Sequence, residues 1–264
     1  MKIYISADIE GTCGIVHWDE TELENNLSTY NKDQMTKEVN AACLGINDIE
    51  KSDIIIKDAH DSARNINPMN LPENIKILRG WTKDPHVMMG GIDKSFDASL
   101  FVGYHSPATF NGNPLSHTLD TKFDYIKIND DIASEFTINA YTSAYYNVPV
   151  PFLSGDEMLC EHAKKLNPNI ITVPVSKGIG NASISIHPTL AVKNIRLGVK
   201  SALSGDLSRH LIKLPESFKI EIKFKEHYNS YKASFYPNMK TIDSQTLVFK
   251  TDDYYEVLRM LLFI

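Results

Sequence analysis

Apolar and polar positions alternate from the first residues of the chain. Ile3, Ile5 and Ala7 are separated by Tyr4, Ser6, Asp8 and Glu10, the period of a β-strand. Positions two apart on a strand face the same way. Asp8 and Glu10 are therefore expected to project together where the strand stops, with Gly11 allowing a sharp turn away. A polar stretch from Thr12 to Asn31 follows. The period then becomes helical, with Met35, Val39, Ala42, Cys43, Ile46 and Ile49 along one face. Ile54-Ile55-Ile56 is a pure β run flowing into Lys57-Asp58-Ala59-His60. Strand, helix and strand in this span make a βαβ unit, which implies parallel pairing with a right-handed crossover.

The same alternation of elements continues downstream. An Asn/Pro-rich loop from Asn65 to Pro72 leads to a short strand at Ile75 to Leu78, and Ala98 to Gly103 is another buried strand with Tyr104-His105 at its end. A loop rich in Gly, Asn and Pro, Phe110 to Pro114, delivers Leu115-Ser116-His117. Tyr125 to Ile128 reads as a strand, and Asn129-Asp130-Asp131 as a turn. Ser134 is placed to cap a helix that carries Glu135 in its first turn and runs to about Tyr146. A strand at Val148 to Leu153, a helix at Glu157 to Leu166, a strand at Ile170 to Val175 and a helix from Pro188 to about Leu203 complete this part.

From Phe218 the character changes. Lys219-Ile220-Glu221-Ile222-Lys223-Phe224 alternates strictly, the pattern of an antiparallel or edge strand with one wet face. A strand at Leu247 to Lys250 and a helix from Asp252 finish the chain. The reading is an α/β fold, a mainly parallel sheet flanked by helices, with a smaller C-terminal α+β portion. The division is a catalytic core over residues 1–205 and a C-terminal portion over 206–264, packed on the core rather than independent.

Composition narrows the function classes. The 264 residues carry a net charge of −6, and no basic stripe interleaved with aromatics is present. This argues against a nucleic-acid partner, which needs clustered Lys and Arg. No apolar run is long enough for a membrane span or a signal-peptide core, so the expected location is cytoplasmic. Cys13, Cys43 and Cys160 form no Cys-x-x-Cys pair and indicate neither a disulfide framework nor a Cys-based zinc site. His-Glu-x-x-His and Gly-x-Ser-x-Gly are both absent. Gly178-Ile179-Gly180 lacks the remaining spacing of a dinucleotide site, and His162 on its helix is expected to face solvent.

The candidate chemistry lies at strand exits. Asp8 and Glu10 follow the first strand, Asp58 and His60 the second, and His105 another, with Glu135 at a helix start. Ligands of open α/β sheets bind outside the carboxyl ends of the strands. Asp58 is placed either to orient His60 or to cap a turn. A mixed oxygen and nitrogen donor set suits zinc, manganese or cobalt better than calcium. Five donors, one able to bridge, exceed the need of one tetrahedral ion and fit two ions roughly 3.5–4 Å apart.

Ser6-x-Asp8-x-Glu10-Gly11, Asp58-x-His60, Gly103-Tyr104-His105, Ser116-His117 and Glu135 with Asn139-Ala140-Tyr141 together resemble the D-aminopeptidase (DppA-like) family of metallopeptidases. The ordered set spans most of the chain to about Asp156. The resemblance implies a binuclear zinc aminopeptidase acting on short peptides, including D-amino-acid peptides, through attack of metal-bound hydroxide on the scissile carbonyl. It also implies a ring-shaped homo-oligomer, a decamer, with active sites inside a central channel. Carried over by position, Asp8 bridges the two ions, Glu10 and His60 complete one shell, and His105 and Glu135 the other. His117 takes the place of the family's additional active-site histidine, an acid/base or oxyanion-stabilising group. Lys57 and Ala59 flank Asp58 where Asn and Ser are usual, and Ser106-Pro107 follow His105 where small residues are usual. These neighbours are expected to reshape the substrate pocket. Two other readings of the same residues are a binuclear phosphoesterase and a non-catalytic protein that binds metal or peptide on the same scaffold.

Overall fold

The structure is a computed structural model that describes residues 1–22 and 29–264. In chain order the elements are β1 (Lys2–Ala7), α1 (Thr29–Asn47), β2 (Asp53–Asp58), β3 (Ile75–Leu78), β4 (Ala98–Tyr104), β5 (Phe123–Ile128), β6 (Asp131–Ile132), α2 (Glu135–Tyr145), β7 (Phe152–Asp156) and α3 (Glu157–Leu166). They continue with β8 (Ile171–Ile179), β9 (Ala182–Ser185), α4 (Pro188–Leu203), β10 (Phe218–Phe224), α5 (His227–Ala233), β11 (Lys240–Thr241), β12 (Thr246–Thr251) and α6 (Tyr254–Phe263). Residues 23–28, within the polar stretch expected from Thr12 to Asn31, lie outside the described residues.

Seven strands form one sheet in the order β3-β2-β1-β4-β7-β8-β9, parallel throughout except for β9, which runs antiparallel to β8. The register sets the functional edge. Ala7 lies opposite Asp58 on one side and Val102 on the other, so β1, β2 and β4 stop almost level. Residues just beyond three adjacent strands therefore emerge side by side.

Both faces of this sheet are covered. Ile3, Ile5, Ile54, Ile56, Leu100 and Val102 pack beneath α1 and α4, with Val39, Cys43, Ile195 and Val199 opposite. Tyr4, Phe101 and Leu153 pack on the other face against Phe136 and Ala140 of α2 and Leu159 of α3. The alternation in β1 thus does not mark a wet face. Ser6 is fully buried, and its Oγ lies 2.6 Å from the Tyr104 hydroxyl and donates to the Met88 carbonyl at 3.0 Å. On α1 the expected apolar face is buried as far as Ile46, but Ile49 lies beyond the helix end and is exposed.

A second, antiparallel sheet has the order β11-β12-β10-β5-β6. Its apolar face packs against α6 and Ile138 of α2, so α2 is held between the two sheets. Its other face explains the alternation of β10, where Lys219, Glu221 and Lys223 are half-exposed. β10 is nevertheless central, paired to β12 and to β5. Residues 123–132 therefore share a sheet with strands of the C-terminal portion.

Two strand boundaries differ from expectation for backbone reasons. Pro149 and Pro151 have no amide hydrogen to give a ladder, and β7 begins only at Phe152. β8 continues past Val175 to Ile179, then reverses through Gly180, at φ +58°, into β9. The glycine-containing segment makes a hairpin.

Candidate metal centre and active-site cavity

β1 stops at Ala7, yet the Asp8 amide still donates to the Val102 carbonyl at 2.9 Å, so Asp8 leaves the sheet in a defined direction. Glu10 follows in a turn rather than on the strand. Gly11 serves a close approach more than a turn: a Cβ there would lie 1.7 Å from the Tyr104 carbonyl oxygen. Gly103, at φ +74°, accompanies a register shift that puts Tyr104 on the same face as Phe101. Such a bulge redirects the strand just before His105.

Asp58 organises the loop after β2. Its carboxylate accepts from the amides of Asn65 at 2.6 Å and Ile66 at 2.8 Å, while Asn65 Nδ2 donates to the His60 carbonyl at 2.8 Å. Asp58 thus holds the backbone that presents His60, rather than the imidazole itself. Glu135 opens α2 behind the Ser134 cap, whose Oγ accepts from the Thr137 amide at 2.9 Å. Glu135 Oε1 accepts from the Leu119 amide at 2.7 Å.

The structure brings all six expected site residues together. His60 Nδ1 lies 3.3 Å from Asp8 Oδ1 and 3.0 Å from Glu10 Oε2. His105 Nε2 lies 3.6 Å from Asp8 Oδ2 and 3.4 Å from Glu135 Oε2. His117 Nε2 lies 3.4 Å from Glu135 Oε1 and 3.9 Å from Glu10 Oε1. The rings of His105 and His117 stack at 4.4 Å, and Trp18 meets His117 edge-on at 5.1 Å. His105 Nδ1 is 2.9 Å from the Ser106 carbonyl and His117 Nδ1 is 2.9 Å from the Leu115 carbonyl. A carbonyl only accepts, so both rings carry the proton on Nδ1 and turn Nε2 toward the cluster.

The donor set fits a pair of cations. Donor atoms of Asp8, Glu10 and His60 lie within 4.8 Å of one another, and so do those of Asp8, His105 and Glu135. Asp8 is common to both groups. A third group joins Glu10, His105 and His117. Two ligand atoms on one tetrahedral zinc stand about 3.4 Å apart, given metal–ligand bonds near 2.0–2.1 Å. The observed carboxylate–imidazole separations straddle that value. Asp8 Oδ2, Glu10 Oε2 and His105 Nε2 are buried and have no hydrogen-bond partner among the described residues. Buried polar atoms rarely stay unpaired, and two of these, Asp8 Oδ2 and His105 Nε2, lie 3.6 Å apart.

Electrostatics give the same demand for positive charge. Burial and the neighbouring Glu10 push the Asp8 carboxyl well above the usual carboxylate range. Burial acts likewise on Glu10, but His60, His105 and His117 outweigh it and hold that carboxyl well below. Burial lowers His60 and His105, yet Glu10 for the first and Glu135 for the second drive both well above the ordinary imidazole value.

The cluster floors a cavity of about 500 Å³ whose walls include Trp18, Trp81, Val87, Met88, Leu119 and Phe123, with Asp61, Asp120 and Lys122 also lining it. Except for Phe123, at the start of β5, these wall residues lie between the strands and long helices, and the sequence pattern did not mark them. Trp18, in a stretch legible only as polar, was the one available signal. Asn113 was also missed; its Nδ2 donates to the Glu10 carbonyl at 2.9 Å.

Of the unusual neighbours, Ala59 lines the cavity and Lys57 acts through its wall. The Lys57 ammonium is fully buried, donates to the carbonyls of Asp58 and Gly80, and sits 4.2 Å from the Trp81 ring centroid. Ser106 instead turns away to Asp156, donating to its carboxylate from amide and hydroxyl, both at 2.6 Å. His162 does not face solvent: it is half-buried beside Phe110, with ring centroids 5.4 Å apart.

A peptidase family model described as D-aminopeptidase matches residues 1–263. The D-aminopeptidase of Bacillus subtilis (strain 168) is 27% identical over 266 residues, covering 99% of this chain and 96% of its own. Among solved structures, the Zn-dependent D-aminopeptidase DppA from Bacillus subtilis, described as a self-compartmentalizing protease, superposes with a TM-score of 0.91 at 25% identity. That match covers 99% of this chain and 96% of the other. A carboxylate–imidazole cluster at the exit edge of a parallel sheet, on this fold, defines a metal-dependent aminopeptidase. The match runs through both sheets and over every residue of the cluster. The chain belongs to the D-aminopeptidase family.

Proposed function

We propose that this protein removes the N-terminal residue of short peptides, D-amino-acid peptides among them, using two zinc ions, with manganese or cobalt as the alternative metals. The observation that carries the reading is the placement of Asp8 in two donor groups at once, with its outer oxygen unpartnered. Asp8, Glu10 and His60 would hold one ion, and Asp8, His105 and Glu135 the other. When bound, the ions supply Lewis acidity toward the scissile carbonyl and activate water near neutral pH.

The remaining steps belong to the protein. The Ser106 carbonyl fixes the His105 tautomer so that Nε2 stays available as a donor. The Leu115 carbonyl does the same for His117, leaving Nε2 free to take a proton and return it to the leaving amine. Protonated, that nitrogen is also placed to stabilise an oxyanion. The walls of Trp18, Trp81 and Phe123 exclude water around the peptide.

The self-compartmentalizing relative supports assembly of this chain into a closed homo-oligomer, for which we propose a decameric ring. Three free, buried cysteines suit a reducing compartment, and we place the protein in the cytoplasm. The chain's charge of −6 supports no nucleic-acid partner. Among the described residues, no helix is long and apolar enough to cross a membrane. Both relatives reported above are peptidases, which disfavours the phosphoesterase and non-catalytic readings. Metal analysis followed by a panel of D- and L-dipeptides tests the function. The expected result is two ions per chain and release of N-terminal residues; metal-loaded protein that cleaves nitrophenyl phosphate but no peptide would overturn it. Light scattering of the purified protein tests the ring.

A further inference from the structure

The loop between β3 and β4 supplies Trp81, Val87 and Met88 to the cavity wall. Val87 has φ +49°. For a β-branched residue this left-handed conformation is a genuine outlier, because Cβ and its methyls crowd the backbone. It persists only where the surroundings over-determine it.

Here they do, from both sides. His86 Nδ1 lies 3.0 Å from Asp84 Oδ1, and its Nε2 lies 2.7 Å from the Tyr146 hydroxyl just beyond α2. The Met88 carbonyl accepts from Ser6 Oγ at 3.0 Å, and Asn139 Nδ2 lies 3.3 Å from Met88 Sδ. The Gly90 carbonyl accepts from the Tyr4 hydroxyl at 2.8 Å. Tyr4, Ser6 and Asn139 are buried. Residues 86, 88 and 90 are thus fastened to β1 and α2, the elements that deliver Asp8 and Glu135 to the metal centre. Val87 between them is half-buried, and its side chain forms part of the wall.

We propose that Val87 is a specificity-determining residue: its fixed side chain limits the bulk of the apolar side chain that a substrate carries beside the scissile bond. This deepens the aminopeptidase reading and rests on it. The wall is predominantly aromatic and aliphatic, so the chemical class selected is an apolar residue. A polar or charged one set against Val87 and Met88 would lose water without recovering a partner from those side chains. Because the His86 side chain on one side and the Met88 and Gly90 carbonyls on the other hold Val87, the wall does not yield to a larger substrate by rotating away.

The test uses Val87→Gly and Val87→Asn, since both residues accept positive φ. kcat/KM is measured on zinc-loaded enzyme for peptides with N-terminal Ala, Leu or Phe of the accepted chirality. Binding of their reduced-amide analogues is followed by calorimetry. For Val87→Gly, the Phe-to-Ala ratio is expected to rise at least about tenfold in both readouts, as for methylene-scale changes in an apolar pocket. Val87→Asn is expected to lower binding of all three analogues with metal content unchanged. A Val87→Gly ratio within about threefold of wild type in the binding assay overturns the proposal. Wild-type enzyme that binds the analogues but cleaves no peptide overturns the aminopeptidase reading instead.

Discussion

Glu38 lies on α1 beneath the loop that leaves β1, wholly out of solvent. Its Oε1 accepts from the Cys13 amide and from Gln34 Nε2, both at 3.0 Å, while Oε2 has no partner among the described residues. Burial pushes this carboxyl from its ordinary 4.5 to about 7, against the downward pull of those two hydrogen bonds. Between these values the folded protein keeps a proton that the unfolded chain has released. Stability therefore falls as pH rises through that window and is level above it. At about 1.4 kcal/mol per pH unit, the span from 4.5 to about 7 amounts to about 3 kcal/mol. Glu38→Gln keeps the accepting oxygen and places an amide where the proton sits, so it mimics the neutral acid at every pH. Its advantage over wild type is expected to be about 1 kcal/mol at pH 5 and about 3 kcal/mol at pH 8. For a chain of this size the latter is roughly 6–12 °C in Tm. Urea melts of both proteins at several pH values measure the difference, and charges common to both cancel. A difference that does not grow between pH 5 and pH 8 would refute the reasoning.

Three further expectations concern the candidate metal centre. His117→Ala should retain both ions while kcat falls by about 10²–10⁴-fold; metal analysis beside steady-state kinetics checks this, and full turnover would remove His117 from the mechanism. Asp8→Asn should lose both ions, whereas Glu10→Gln should retain one, because only Asp8 belongs to both carboxylate–imidazole groups around the proposed pair. Two ions retained in Asp8→Asn, by mass spectrometry of the native protein, would contradict bridging. Gly11→Ala drives a methyl into the Tyr104 carbonyl. It should lower stability by about 1–3 kcal/mol or more and reduce bound metal; a thermal melt and metal content matching wild type would count against the close approach.

Much of the candidate cluster was legible because β2 and β4 read as apolar runs, against which His60 and His105 stand out as polar exits, while Asp8 and Glu10 closed the alternation of β1. Ser134 announced α2 through the chemistry of a cap, and so placed Glu135. What local pattern did not carry was partner choice. β5 looked like any strand, and its pairing with β10 joins residues more than ninety apart in sequence, such as Ile128 with Ile220. β9 was missed because Lys177 and Gly178 interrupt the apolar run before the hairpin. The cavity wall was hidden for another reason. Trp81 and Val87 lie on a loop whose shape is set by side chains of β1 and α2, and the positive φ of Val87 has no counterpart in residue type. Nothing in the helical pattern marks Glu38 as buried, since burial of a carboxyl depends on the loop laid across it.

The residues of the candidate metal centre arise from different layers. Asp8, Glu10, His60 and His105 come off the seven-stranded sheet, while Glu135 begins the helix wedged against the five-stranded one. Cations shared across that seam would act as rivets between the layers, adding their binding free energy to the cohesion of the whole molecule. Chelation would then reach beyond catalysis: hydrogen exchange should quicken along the whole of α2 and the adjoining strand β5, past the residues of each that line the cavity.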